Sequence, residues 1–305
     1  MNVVRYHSGL KDEWDKFVKN SNTPLFIFER TFIEYHGDRY MDHSLLVYND
    51  GILVAALPAC EIDVQLICHR GLPFTDIITK LRKEWFDIDD IIIAILNYGR
   101  KNNIKKIEIE LCPEIYKNIP SGETLYFLRK NDFEFCNQKL SAIVYLKDIE
   151  ESRLYIKVSR IFIEKSEIIF NSNDFESFSN LISNNLNQKY QSKPIHSLEE
   201  LLYLKEKFGD QIELVLTKSN NVIVGAVLLF KLGQVIKGQY LTSIANNASD
   251  FMLSQIMLKY QKDYSYFDLG TSNSLQDNEI NIKNLGFKCK LGGKAMCIDK
   301  YISVL

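Results

Sequence analysis

The chain repeats its own plan at a spacing near half its length, and few folds allow that. Residues His43 to Cys60 read as strand, tight turn, strand: HSLLVY, NDG, ILVAALPAC. Residues Ile212 to Lys231 follow with IELVLTK, SNN and VIVGAVLLFK. In both halves a third short strand comes next, then an amphipathic helix. A compact apolar strand follows, Ile104–Leu111 in one half and Tyr264–Gly270 in the other. Each half closes on a helix and a two-strand ending, NDFEFCNQKLSAIVYLKD against LGFKCKLGGKAMCIDKYI. A period this long in 305 residues is no solenoid; it reads as a duplicated domain. The boundary falls near residue 150, giving domains 1–150 and 151–305, the second opening with a connecting helix over Glu151–Ser166. Clefts between such units are favoured ligand sites.

Local patterns place the elements. Trp14, Phe17 and Val18 have helical spacing, as do Phe28, Phe32 and Tyr35 in a second helix over Phe28–His36. Gly51 supplies the positive φ that the first hairpin needs. Ile62–Cys68 is the third strand, and Asp87–Asn102 a helix with three acids in its first turn. Ser197 and Glu200 form a capping box ahead of the helix to Phe208. The order in each half gives a mixed, mostly antiparallel sheet with flanking helices, an α/β (α+β) fold. Two central strands run parallel, and where they splay apart, backbone N–H and C=O groups need another partner.

Composition excludes several classes. With 46% apolar and 25% charged residues the chain is globular and soluble. Residues 1–150 carry 19 basic and 23 acidic groups and residues 151–305 carry 18 and 16, a balance that does not predict a DNA partner. Six cysteines include no CxxC pair, so no metal site is expected. No run reaches the roughly 18–20 apolar residues of a membrane span, and a cytoplasmic location is expected.

Specific motifs add a family resemblance. Trp14 and Phe17 precede Arg30-x-Phe32-x-x-Tyr35-His36-x-Asp38-Arg39-Tyr40-x-Asp42-His43-Ser44-Leu45. The loop Cys68-His69-Arg70-Gly71-Leu72-Pro73-Phe74-Thr75-Asp76 follows. The second half has His196-Ser197-Leu198-Glu199-Glu200-Leu201, Gln239-Tyr240 with Ser243, and Phe267-Asp268-Leu269-Gly270-x-Ser272. In this order the motifs resemble the FemAB-like double-GNAT acyltransferases encoded among surface-polysaccharide genes. The resemblance implies two tandem GNAT-like domains and transfer of an acyl or aminoacyl group to an amine on a carbohydrate or peptide precursor. It also implies an acyl-CoA donor and a small-molecule or nucleotide-sugar acceptor. Yet Ile244–Asp250 lacks the glycine loop that wraps a diphosphate. The coiled-coil insertion of the tRNA-dependent relatives has no counterpart, and a tRNA partner is not expected.

Site expectations follow, each beside a structural alternative. His69 has a pKa suited to a base, or it stabilises its loop. Asp268 ends an apolar strand where ligands sit in open sheets, and is the other candidate base. Gly270, Ser272 and Asn273 continue that edge; Gln239, Tyr240 and Ser243 line the donor slot or pack in the core. Backbone N–H groups of 234–243 would face the oxyanion. Gly71, Thr75 and Asp76 belong to the acceptor loop, Asp76 holding a hydroxyl or capping a helix. Arg30 and Tyr35 either face the cleft or brace the first unit through ion pairs. Arg153, Lys157 and Arg160 form a basic stripe, able to grip a diphosphate or simply solvated. A non-catalytic ligand-binding or scaffold protein of the same fold is the alternative, as is an aminoacyl-tRNA-dependent transferase.

Overall fold

Pro58 redirects the first hairpin. A computed structural model describes residues 1–35, 37–81, 86–150, 158–190, 194–273 and 279–305. The chain forms two compact units, Met1–Lys139 with Cys297–Leu305, and Leu140–Met296. Unit 1 runs β1 (Asn2–Arg5), α1 (Lys11–Lys19), α2 (Arg30–Glu34), β2 (Leu45–Asn49), β3 (Ile52–Leu57) and β4 (Ala59–Ile62). It continues with β5 (Gln65–Cys68), β6 (Ile78–Thr79), α3 (Phe86–Lys101), β7 (Lys106–Glu110), α4 (Glu123–Lys130) and the start of β8 (Glu134–Tyr145). The strand expected over Ile52–Cys60 divides at Pro58, which has no N–H to give a ladder. β3 joins the sheet β1-β2-β3-β6, whereas β4 pairs with β5 in a second sheet.

The second helix also departs from its pattern. Phe26–Phe28 is a 3₁₀ turn, and α2 begins only at Arg30. The third strand starts at Gln65 because Asp63 and Val64 form a hairpin turn, with φ of 48° and 59°. Leu66, Ile107 and Ile109 share a core with Ile88, Ile91, Ile92 and Ile95 of α3. Alternation along β5 and β7 therefore turns Gln65, Ile67, His69, Lys106, Glu108 and Glu110 to the other face. A Cβ at Gly99 of α3 would run into the tip of the Leu305 side chain, which would have to shift to admit it.

Unit 2 holds α5 (Arg160–Glu164), β9 (Ser166–Ile169), α6 (Phe175–Tyr190), α7 (Leu198–Phe208), β10 (Ile212–Ser219) and β11 (Val222–Leu232). β12 (Val235–Ser243), α8 (Ala248–Tyr260), β13 (Tyr266–Thr271), α9 (Ile282–Lys290) and the start of β14 (Lys294–Val304) follow. Residues 151–157 of the expected connecting helix, with Arg153 and Lys157, lie outside the described residues, as does His36. Among the described residues of that stretch α5 is helical, and Ser166 already begins a strand antiparallel to β10. The capping box at Ser197 and Glu200 is present. Strand order is β8-β13-β12-β11-β10-β9, with the second half of β8 beside β13. The end of β14, Lys300–Val304, belongs to unit 1 and pairs antiparallel with β7 there. Ile236 and Phe267 form a core with Met252, Leu253 and Ile256 of α8. Lys237 and Asp268, one residue on in each strand, therefore lie on the opposite face.

Candidate functional site

In unit 2 the two parallel strands part early. β12 and β13 pair in parallel at Val235–Tyr266, Ile236–Phe267 and Lys237–Asp268, and no further. β12 runs on to Ser243 and β13 to Thr271. On its other side β12 is bulged: Leu228 faces Tyr240 while Leu229 faces Gly238, which leaves Gln239 as the extra residue. A bulge re-aims side chains and bends the strand. Register between β13 and β8 also breaks between Asp268 and Thr271, where Gly270 takes φ 80°. The backbone edges past Lys237 and Asp268 thus face each other without ladder bonds, a slot suited to an extended amide-bearing arm.

The slot's base is a buried charge network. Asp268 is fully buried and accepts from Ser141 Oγ at 2.6 Å and from the Gly270 N–H at 2.8 Å. Its other oxygen pairs with Lys237 Nζ at 3.0 Å. For Asp268 to take a proton, that pair would have to open. Lys288 of α9, also buried, donates to the Gly270 and Thr271 carbonyls, both at 2.7 Å. Burial pulls its pKa down to about 8, against the attraction of Asp268 and with help from Lys237. An ammonium holds three hydrogens; among the described residues nothing takes the third. Sequence reasoning missed Lys237 and Lys288.

Unit 1 carries a pocket of about 400 Å³ on the sheet face opposite α3. Its floor holds Glu108 and Glu110, paired with Lys300 at 2.8 and 3.6 Å; Lys139 binds Glu110 at 2.6 Å. Each unit thus places a carboxylate one residue beyond an apolar core residue of its second parallel strand, Ile107-Glu108 and Phe267-Asp268. His69 lines the pocket beneath Tyr40, its ring edge-on at 5.5 Å. Burial drops its pKa to about 4, so the imidazole is neutral and a weak base. Its Nδ1 accepts from the Gly71 N–H at 3.3 Å, which leaves the proton on Nε2 and makes that nitrogen a donor.

No protein-family model matches the chain, and no curated protein does. Solved structures do match. FemX superposes with a TM-score of 0.65 at 11% identity, over 100% of this chain and 98% of its own. The C-terminal domain of a putative lysylphosphatidylglycerol synthetase from Agrobacterium fabrum gives 0.63 at 10%, over 96% and 92%. A tandem GNAT protein from the clavulanic acid biosynthesis pathway gives 0.56 at 8%, over 99% and 98%. The fold is a two-domain, GNAT-like one. At these identities the likeness speaks for the fold alone.

Within this GNAT-like fold the remaining candidates fall into three groups. Around the slot, Tyr240 shares a hydrogen bond with His196 Nδ1, Ser243 Oγ with Ser249 Oγ at 2.7 Å, and Asn273 Oδ1 accepts from the Leu140 N–H at 2.7 Å. Ser272 Oγ is buried and, among the described residues, has no partner. In the unit 1 loop, Thr75 donates to the Glu110 carbonyl at 3.3 Å, and Asp76 pairs with Lys117 at 3.2 Å in the interior. Burial lifts the Asp76 carboxyl above its usual value despite Lys117. Asp76 is neither a helix cap nor a surface acceptor.

Arg30 and Tyr35 do not line the unit 1 pocket, although the Arg30 charge is felt at His69. Arg30 is buried between Glu34 at 3.1 Å, Ser44 Oγ at 3.1 Å and Asp42, with its guanidinium 3.6 Å above the Tyr6 ring. This is the bracing alternative. Tyr35 packs edge-on against Phe32 at 5.1 Å. Arg160 is 92% exposed and pairs with Glu164 one turn on, a solvated helix face.

Proposed function

We propose that this chain is an N-acyltransferase that moves an acyl or aminoacyl group from an activated donor to an amine on a carbohydrate or peptide precursor. The observation that carries the reading is the open edge between β12 and β13 with the ammonium of Lys288 at its β13 side. Donor amides bond the free edge of β12. The acceptor amine attacks the carbonyl carbon, a C–N bond forms, and the carbonyl oxygen becomes an oxyanion. Lys288's third N–H and the backbone N–H groups near the Gln239 bulge stabilise that charge in a site of low dielectric. Collapse breaks the carbon–sulfur or carbon–oxygen bond, and the departing thiolate or alkoxide takes up the proton that the amine loses. Lys237–Asp268 holds the slot's base rigid.

The names of the structural neighbours support acyl or aminoacyl transfer in general. The acceptor, an amino sugar linked to a nucleotide in cell-surface polysaccharide biosynthesis, rests on the sequence motifs quoted above. A thiol-release assay of the full chain with acyl thioesters and nucleotide-linked amino sugars tests the reading. Release that depends on the amine supports it. Absence of both release and donor binding would overturn it.

A further inference from the structure

An arm lying along the open edge of β12, from Gly238 to Ser243, spans about 20 Å at about 3.3 Å per residue. It leads to the loop Ile244–Asn247 and the N-terminus of α8. A helix start there would be the place to hold a diphosphate, because its N–H groups and dipole favour an anion. Three features of α8 work against that use. Asp250 puts a carboxylate in the first turn. The Ala248 N–H is already bonded to the Ala245 carbonyl at 3.3 Å, and the Ser249 hydroxyl to Ser243 at 2.7 Å. The loop has no glycine, and its left-handed residue is Asn247 (φ 68°), whose side chain makes no capping bond. Coenzyme A, bound with its diphosphate on α8, does not fit these residues.

We propose that the donor is gripped by its arm alone: the slot takes an acyl thioester of pantetheine length and gives no foothold to a diphosphate beyond it. This rests on the acyl-transfer reading above and names its donor class. The arm reaches the slot equally from a nucleotide or from any other carrier of the same thioester. The diphosphate adds nothing to affinity, and Asp250 repels it mildly.

Calorimetric titration of the full chain with coenzyme A and with pantetheine is the test. Dissociation constants within about threefold of each other are expected, with coenzyme A binding not weakened, and slightly tightened, by added salt that screens Asp250. Asp250→Asn should tighten coenzyme A about two- to fivefold and leave pantetheine unchanged. Coenzyme A binding tenfold or more tighter than pantetheine, and weakening with salt, would overturn the inference while leaving acyl transfer intact. If neither ligand binds, the slot is no arm site, and both readings fall.

Discussion

Removing the Asp268 carboxylate should be among the most damaging single changes in unit 2. Asp268→Ala strands the buried Lys237 ammonium, and breaking one partner of a buried pair costs about 3–5 kcal/mol. It also leaves the Ser141 hydroxyl and the Gly270 N–H without their acceptor, at about 1–3 kcal/mol for each such buried group. These losses share one cavity and do not add, so about 4 kcal/mol is expected in total. For a domain of this size that is a fall in Tm of roughly 8–16 °C. The second variant, Lys237→Met with Asp268→Asn, removes both charges and should recover most of the loss. Urea unfolding followed by circular dichroism reads the change as a shifted midpoint with unaltered slope. An Asp268→Ala loss under 1 kcal/mol would refute the reasoning, as would a double variant no more stable than the single one.

Two further expectations concern unit 1. The His69 imidazole is held neutral by burial, with a folded pKa of about 4 against about 6.5 when unfolded, so its contribution is complete above pH 6.5 and lost as pH falls toward 4. Wild type should therefore lose roughly 3 kcal/mol more than His69→Gln between pH 7 and pH 4, measured as urea midpoints; equal losses would contradict the burial. Val64 holds φ 59° in the β4–β5 turn, a backbone that suits glycine and not a β-branched residue. Val64→Gly should stabilise by about 1 kcal/mol in thermal melts, and a destabilised variant would count against the turn geometry.

Much of the fold was legible because its signals are local. The hairpin at Asn49–Gly51, the capping box at Ser197 and the apolar stripe of α3 each depend on residues within one turn or one helix. The order of strands also revealed the parallel pair that splays. Elements without such signals escaped: β1, β6 and β9 are edge pieces of two to four residues, too short for a period to show. Pro58 was readable as a ladder breaker, and the hairpin pattern overrode it. The site was legible in part. Asp268 and Gly270 marked the slot, but a lysine in sequence reads as surface. Nothing local announces that Lys288 caps two carbonyls 17 and 18 residues upstream. Arg30 shows the converse, a charged residue whose partners Asp42 and Ser44 lie too far along the chain to be paired by spacing.

The thiol-release rate of Lys288 variants tests the proposed chemistry most directly. Lys288→Ala should lower kcat about a hundredfold or more, the size of a lost oxyanion donor, while far-ultraviolet circular dichroism stays native. With the ammonium required, wild-type kcat should fall as pH rises through about 8, and Lys288→Arg, charged throughout, should lack that limb. A folded Lys288→Ala protein as fast as wild type would contradict the account.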